Sequence, residues 1–409
     1  MPEPIAPTNR SPRIAVVGAG VGGISVARGL LRQGHDVTVF ERRPDVKPGG
    51  GAVTIWSNGA TVLAQLGVEM EGAGQPLSTV RVTTAGGRPV ATMDLTAIVK
   101  RLGAPVRMVP RRVLLERLLD GFPAERIRCN TRAVRIANTG NGVRVEFGDG
   151  SSAEADLLIG ADGLHSMVRG LVGAPPAKPT GWCSWQGLVT LPGIGDKHVA
   201  QMIIGEHGNL GLWPAGGSDL QWWFDLPWSD EFVRPQRPID MIRSHFEGWS
   251  DLADRILATL TDEDLAPSPF PHFRHPIPRS GQGAVTLLGD AAHTMPPTLA
   301  QGTNQALLDT MVLCQALSDF RGDRSADLSR TLRRYENARR RKVAAVSWVT
   351  TQQVSRSESA LRPAAMIPDR FMTWALTTFL RSVSHRRMST KISRDLAATT
   401  AAALVGAND

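Results

Sequence analysis

A short, wholly apolar run opens the pattern: Ile14, Ala15, Val16 and Val17 follow Arg13 and end on Gly18. An apolar run of that length bounded by glycine predicts a strand buried on both faces of a parallel sheet. The period then changes to threes and fours through Ile24, Ala27, Leu30 and Leu31, which predicts a helix, and Gly34 closes it. Asp36 to Glu41 returns to a buried-strand pattern. Strand, helix and strand at this spacing form a βαβ unit, whose crossover implies a doubly wound α/β sheet.

Further along, Gly49 to Gly51 mark a loop, and a helix is expected around Asn58–Leu66, ended by Gly67. Ser78 to Met93 alternates as short strands, and 107–120 reads as a helix on Leu114, Leu115, Leu118 and Leu119. Val143 to Phe147 alternates into Gly148, Asp149 and Gly150, a hairpin signal. Buried strands are expected at 156–160 and 284–288, and a long helix starts near Gly302 and runs through Leu313 and Cys314. Between about 180 and 280, short strands and Pro/Gly turns hold seven of the ten tryptophans, so a second, β-rich unit is expected there. In a chain of 409 residues the expected partition is 1–75, 100–178 and 282–350 for a discontinuous first domain, 76–99 and 179–281 for the β-rich one, and 351–409 for a helical C-terminal segment.

Composition changes this picture little. Hydrophobic residues at 42% and charged ones at 21% are a globular mixture. Cys129, Cys183 and Cys314 match no metal spacing and cannot all pair, which suits a reducing cytoplasm; no metal site is expected. Met1 to Arg13 has no apolar segment of the signal-peptide kind, and no apolar run approaches the roughly 18 residues of a spanning helix. The net charge of +8 comes without any nucleic-acid motif, so no nucleic-acid partner is expected. Arg381, Arg386, Arg387, Lys391 and Arg394, near the apolar stretch Phe371–Leu380, read as a solvated helix packed on the first domain in preference to a membrane-surface contact.

The chemistry is concentrated in glycine-rich turns. Gly18, Ala19, Gly20, Val21, Gly22 and Gly23 form G-x-G-x-x-G between the first strand and the first helix. Gly18 permits the tight turn, Gly20 lets backbone approach a pyrophosphate, and Gly23 allows close helix–strand packing above a helix N-terminus that attracts phosphate. Glu41 ends the second strand, where an acid accepts hydrogen bonds from ribose hydroxyls. A second device lies far away: Asp290 follows a buried strand, then come His293, Pro296 and Pro297, and a helix opens at Gly302, Thr303 and Asn304. Asp290 suits a ribityl hydroxyl, and the free helix amides suit the electron-poor edge of a flavin, which gains negative charge on reduction. NAD requires no such second turn; FAD does.

With these segments the chain resembles the group A flavoprotein monooxygenases, the family of para-hydroxybenzoate hydroxylase, from about Arg13 to Lys342. The fingerprints are the glycine loop with Glu41 and Arg42; the segment Asp156 to Asp162 and Gly163 with Ser166, Val168 and Arg169; and Gly289-Asp290. Asn58-Gly59, Arg111 with Leu114 and Leu118, and Tyr335-Glu336 with Arg339 and Arg340 support them. The resemblance implies a glutathione-reductase-like, Rossmann-like FAD domain with an antiparallel-sheet substrate domain. It implies that Glu41 and Arg42 hold the adenosine ribose side, Arg111 the diphosphate, Asp290 a hydroxyl of the FAD chain, and Val134 the adenine through its backbone. Gly51 and Ala52 would lie beside the isoalloxazine, and Asp162 would shape the junction of FAD and NAD(P)H. Two departures from the family pattern are Ala300, where a glycine is usual before Gln301-Gly302, and Leu308, where an acid is usual before Asp309.

The implied reaction is reduction of the flavin by NADPH or NADH, addition of O2 at flavin carbon 4a, and transfer of one oxygen from that hydroperoxide to a small, electron-rich aromatic or polyketide-like substrate. Trp185, Trp213, Trp222 and Phe224, with Pro297, are candidates for the substrate pocket; the alternative for each aromatic is sheet core. No catalytic residue is assigned from sequence; Gln186 and His207 are the candidate polar side chains for contact with substrate. His293 either tunes the ring or is a packed, hydrogen-bonded neighbour. Tyr335 is the single tyrosine, so a paired-tyrosine device for deprotonating a phenol is absent, and an already activated substrate fits better. A halogenase is disfavoured because Trp182 to Gly187 does not match the W-x-W-x-I-P segment. A related flavin reductase or dehydrogenase, and a flavin-carrying protein that sequesters a ligand, are the remaining alternatives. Substrate identity, the choice of reductant and oligomeric state stay open.

Overall fold

The computed structural model describes residues 11–46, 50–139, 142–278, 281–318, 320, 325–354 and 364–385. Arg386, Arg387, Lys391 and Arg394 of the basic run lie outside the described residues. The first strand is Arg13–Val17 (β1), the first helix Val21–Arg32 (α1) and the second strand Asp36–Phe40 (β2). Ala52–Ile55 is β3, Arg111–Leu119 is α2 and Leu157–Gly160 is β4. Four long strands follow, Lys178–Thr190 (β5), Val199–Ile204 (β6), Asn209–Gly216 (β7) and Asp219–Pro227 (β8). Then come Phe270–Arg274 (β9), Val285–Leu287 (β10) and the helices Gly302–Ser318 (α3), Ser325–Val354 (α4) and Asp369–Val383 (α5).

The first sheet is five-stranded and parallel, in the order β10-β4-β1-β2 and Ile127–Arg128 at the edge. Its central strands β1 and β4 are buried almost throughout, which is why their sequences are nearly continuous apolar runs. Ile14, Val16, Ile24, Leu30, Val37 and Val39 share one core with Leu307, Val312 and Leu313 of α3, which packs against α1. The expected helix at 107–120 is a strand, Arg107–Pro110, followed by α2, because the extended segment pairs with β3.

The second sheet has seven strands, in the order β9-β5-β8-β7-β6, then Thr79–Thr84 and Pro89–Asp94. It is antiparallel except where β6 runs parallel to Thr79–Thr84, the junction at which separate stretches of chain meet. Alternation gives this sheet two unlike faces. Even positions of β8, Leu220, Trp222, Phe224 and Leu226, join Cys183, Trp185, Leu210 and Leu212 in a core against the helices Pro238–Phe246 and Asp251–Thr259. Odd positions face the other way, toward the first sheet. The C-terminal helix α5 packs on the Pro89–Asp94 end of this sheet, with Asp94 N donating to Thr373 Oγ1 at 3.1 Å and Thr92 N to Asp369 Oδ1 at 2.8 Å. That differs from the expected seat on the first domain: Leu380 is an anchor of the sheet's apolar end, while Val383 meets α4.

Candidate functional site

The glycine motif does what its spacing predicts of the backbone. Gly18 holds φ +105°, and a Cβ there would lie 2.5 Å from the Ala161 carbonyl oxygen. A Cβ on Gly23 would lie 1.9 Å from the Gly18 carbonyl oxygen, so both glycines are required by packing alone. Gly20 differs: a Cβ there meets nothing within 4 Å. Its side faces open space at the N-terminus of α1, a cradle that backbone lines and a side chain would fill. Glu41 fastens this turn, accepting from Ala19 N at 2.8 Å through Oε2 and from Arg43 N at 3.0 Å through Oε1. Carboxylate lone pairs remain for a further donor. Exposed Arg42 neighbours it, and Asn130 N and Thr131 N bond back to the Arg43 and Glu41 carbonyls. Val134, half exposed, follows three residues later.

A cavity of about 530 Å³ lies between the two sheets. On the first-sheet side it is walled by Ala52, Trp56, Arg111, Asp290, Pro297 and Thr303. Gly302 also lines it, and helix α3 begins there; its first backbone bond runs from Gln305 N to Gln301 O, leaving the amides of Gly302, Thr303 and Asn304 unpaired among the described residues. Asn304 contributes more than an amide. Its buried side chain accepts from Trp56 N at 2.9 Å and donates to the Thr54 and Ala300 carbonyls at 2.9 and 2.8 Å, clamping β3 to the turn before α3. Ala300 takes the left-handed conformation, φ +48°, that the usual glycine would adopt without cost. Gly51, at φ +89°, abuts the Gln221 side chain, and Gln221 Oε1 accepts from Ala52 N at 2.5 Å.

Arg111 stands at the rim of the cleft, accessible yet surrounded by protein; that enclosure lowers its pKa, with Asp290 opposing the shift. Asp162 turns inward. It accepts from Ser166 Oγ at 2.5 Å and from the amides of Met167 and Val168, capping a short helix. Burial raises its pKa while these bonds pull it down. His293 lies behind the cavity wall, its Nε2 donating to Asp309 Oδ2 at 2.6 Å. Arg339 Nε meets the other Asp309 oxygen at 2.6 Å, and Gly289 N donates to Asp309 Oδ2 at 2.9 Å. Attraction to His293 and Arg339 overcomes burial and holds Asp309 down at about 2. Leu308 is buried in the first core, an apolar position where a charge would lack a partner.

On the second-sheet side the cavity is lined by Gln186, Trp213, Gln221 and Trp223, joined by Ser184, Asn209, Asp225 and His272. Met372, Ala375, Leu376 and Phe379 of α5 complete an apolar roof. Of the pocket candidates, Gln186, Trp213 and Pro297 reach the cavity. Trp185, Trp222 and Phe224 do not: β5 and β8 turn them to the opposite face, where they are almost wholly buried in the core. His207 is exposed on the loop between β6 and β7, outside the cavity lining. Missed from sequence were Gln221, Trp223, Asp225, Ser184 and His272. Their signal was present, since Gln221, Trp223 and Asp225 are the odd partners of the even, core-facing set.

The family described as "FAD binding domain" matches residues 12–349. The chain is 32% identical over 334 residues to the FAD-dependent urate hydroxylase of Klebsiella pneumoniae, covering 79% of this chain and 85% of that protein. It is 33% identical over 349 residues to the 3-amino-4-hydroxybenzoate 2-monooxygenase of Streptomyces platensis, covering 80% and 84%. The crystal structure of Klebsiella pneumoniae HpxO complexed with FAD and uric acid superposes with a TM-score of 0.75 at 27% identity, over 94% of this chain and 96% of that one.

Proposed function

The chain belongs to the FAD-binding-domain family of flavoprotein hydroxylases and is an FAD-dependent monooxygenase, and from that premise we propose that it uses NAD(P)H and O2 to hydroxylate a small, electron-rich aromatic ring. The observation that carries the reading is the cavity shared by the two sheets. Its first-sheet wall presents what a flavin requires, and its second-sheet wall presents mixed aromatic and polar side chains suited to a flat heteroaromatic or phenolic guest.

The residues present fit FAD. Open space beside Gly20, the α1 amides ahead of the Ile24 N to Gly20 O bond, and the Arg111 guanidinium would take the diphosphate. Glu41, Arg42 and the backbone near Val134 would take the adenosine end, and Asp290 a hydroxyl of the chain. Gly51, Ala52, Pro297 and the amides of Gly302, Thr303 and Asn304 would bracket the ring, with Asp162 shaping the junction from behind. When bound, the flavin supplies the redox chemistry: two electrons from NAD(P)H and activation of O2 at carbon 4a. The protein's own part is orientation and exclusion. Gln221 fixes the Ala52 backbone against the ring site, the α3 amides stabilise negative charge there, and the α5 roof keeps bulk water from the reacting face.

The test is stopped-flow reduction of the holoenzyme by NADH and NADPH, with and without urate and 3-amino-4-hydroxybenzoate, followed by mixing with ¹⁸O2. Ligand-stimulated reduction and one ¹⁸O in the product support the proposal. Reduction and reoxidation with no labelled product from any ligand would indicate a reductase, and binding without reduction a sequestering protein.

A further inference from the structure

One end of the cavity is built from polar groups that the FAD site does not use. Ser184, Asp225 and His272 are 3%, 7% and 1% exposed, and all three line the cavity. Strand register brings them together: Ser184 on β5 pairs with Asp225 on β8, and β9 lies on the far side of β5. Ser184 Oγ donates to Asp225 Oδ1 and lies 2.6 Å from His272 Nε2. A serine has one proton, so when it donates to the carboxylate, His272 must donate to Ser184 through Nε2. The chain of hydrogen bonds then runs from His272 to Ser184 to Asp225, and every donor points toward the carboxylate.

Three acceptors at this end are left over. His272 Nδ1 and Asn209 Oδ1 are buried without a partner, and Asp225 Oδ2 makes no hydrogen bond among the described residues. Asn209, directly opposite Asp225 in the register with β7, also lines the cavity. The groups facing Asp225 from β5, β7 and β9 are therefore Ser184, Asn209 and His272, with no guanidinium or ammonium among them. Burial holds His272 neutral, at about 4, so it supplies no counter-charge. Asp309, the other deeply buried carboxylate, has Arg339 and His293; Asp225 has no arginine, and its histidine, His272, is uncharged and 3.8 Å from Oδ1. A carboxylate without a cation, with one oxygen bare in a cavity, calls for a donor from the guest.

We propose that Asp225 is a catalytic residue that accepts a hydrogen bond, and then the proton, from an acidic N–H or O–H on the substrate ring. The inference rests on the aromatic-hydroxylase reading above. In the step, the substrate's heteroatom–hydrogen bond breaks, the electron pair stays on the heteroatom and enters the ring, and a new O–H bond forms at Asp225 Oδ2. No redox change accompanies it. The ring becomes a better nucleophile for the incoming electrophilic oxygen, a role that no tyrosine pair is present to fill. Asp225 is suited to it because burial pushes its carboxyl up to about 7, opposed by the Ser184 bond, so it is basic enough to take such a proton near neutral pH. The proton passes to water before the next turnover.

The experiment measures kcat/KM for ligand-stimulated NAD(P)H oxidation and product from about pH 5 to 9 in the holoenzyme. The probes are urate, 3-amino-4-hydroxybenzoate and its 4-methoxy counterpart, which lacks the O–H. Wild type should rise with pH through about 7, the value for Asp225, and should favour the hydroxy compound over the methoxy one. Asp225→Asn keeps the shape and an acceptor for Ser184; it should lose that limb and roughly 100-fold or more in kcat/KM. Ser184→Ala should move the limb to higher pH without abolishing it, a response that a purely structural role would not produce. Bound-FAD absorbance and melting of each variant report folding. If Asp225→Asn retains the rate within about threefold and keeps the limb, the assignment of Asp225 falls while the monooxygenase reading stands. If no probe stimulates NAD(P)H oxidation in wild type, the reading falls and the inference with it.

Discussion

The glycines of the first turn should fail in different ways, and the difference separates folding from cofactor binding. Gly23→Ala places a methyl 1.9 Å from the Gly18 carbonyl oxygen, a backbone atom that moves only if β1 and α1 separate. Overpacking of that kind costs about 1–3 kcal/mol or more, so the melting temperature of the FAD-free protein should fall by several degrees. Gly20→Ala should not do this. Gly20 has φ −73° and ψ −178°, ordinary extended backbone for alanine, and its Cβ would meet nothing within 4 Å. The FAD-free protein should be unchanged or more stable by up to about 1 kcal/mol, through reduced freedom of the unfolded chain. The methyl would instead occupy the approach of the diphosphate, and about 1–3 kcal/mol of lost contact weakens FAD binding roughly 5- to 150-fold. The assay is thermal melting of both variants without FAD, then titration with FAD by flavin fluorescence. If Gly20→Ala destabilises the FAD-free protein as much as Gly23→Ala, or binds FAD like wild type, the assignment of this turn to the diphosphate is wrong.

Asp309→Asn strands the buried Arg339 guanidinium and should cost about 3–5 kcal/mol, read by denaturant titration. Because Asp309 is held down from 3.8 to about 2, its contribution of about 2 kcal/mol is present above pH 3.8 and vanishes as pH falls through about 2; the variant should lack that acid-induced loss. Gln221→Leu removes the acceptor for Ala52 N and leaves a buried amide unpaired, at about 1–3 kcal/mol, lowering both the melting temperature and FAD retention. Ala300→Gly relieves a left-handed alanine, so melting should rise by the equivalent of about 1 kcal/mol; a fall would mean the turn is not strained.

The parallel sheet was legible because its strands are short apolar runs punctuated by glycine, and its helices repeat every three or four residues. Arg107–Pro110 is hard to separate from the helix in sequence because Met108 and Val109 run directly into the helical spacing of Leu114 and Leu118, and only pairing with β3 makes the segment extended. The seat of α5 was equally hidden. Its amphipathic pattern says that one face is buried but not against what, and the choice was made by the bare amides of Thr92 and Asp94 at the sheet's last strand.

The two faces of β5 and β8 carry different signals in the sequence. Alternation puts Trp222 and Phe224 on one face, and their size fits either a substrate platform or sheet core; the fold seats them in the core. Bulk alone does not decide the face: Trp213 and Trp223 line the cavity, while Trp222 and Phe224 bury most of their area in the core. The polar residues interleaved with them, Gln221 and Asp225 on β8 and Ser184 and Gln186 on β5, are costly in any core and so mark the face that meets a ligand. Sequence alone supplies those two sets. It does not supply the register that sets Ser184 opposite Asp225 with His272 beside them, and without that register a buried carboxylate cannot be told from a surface one.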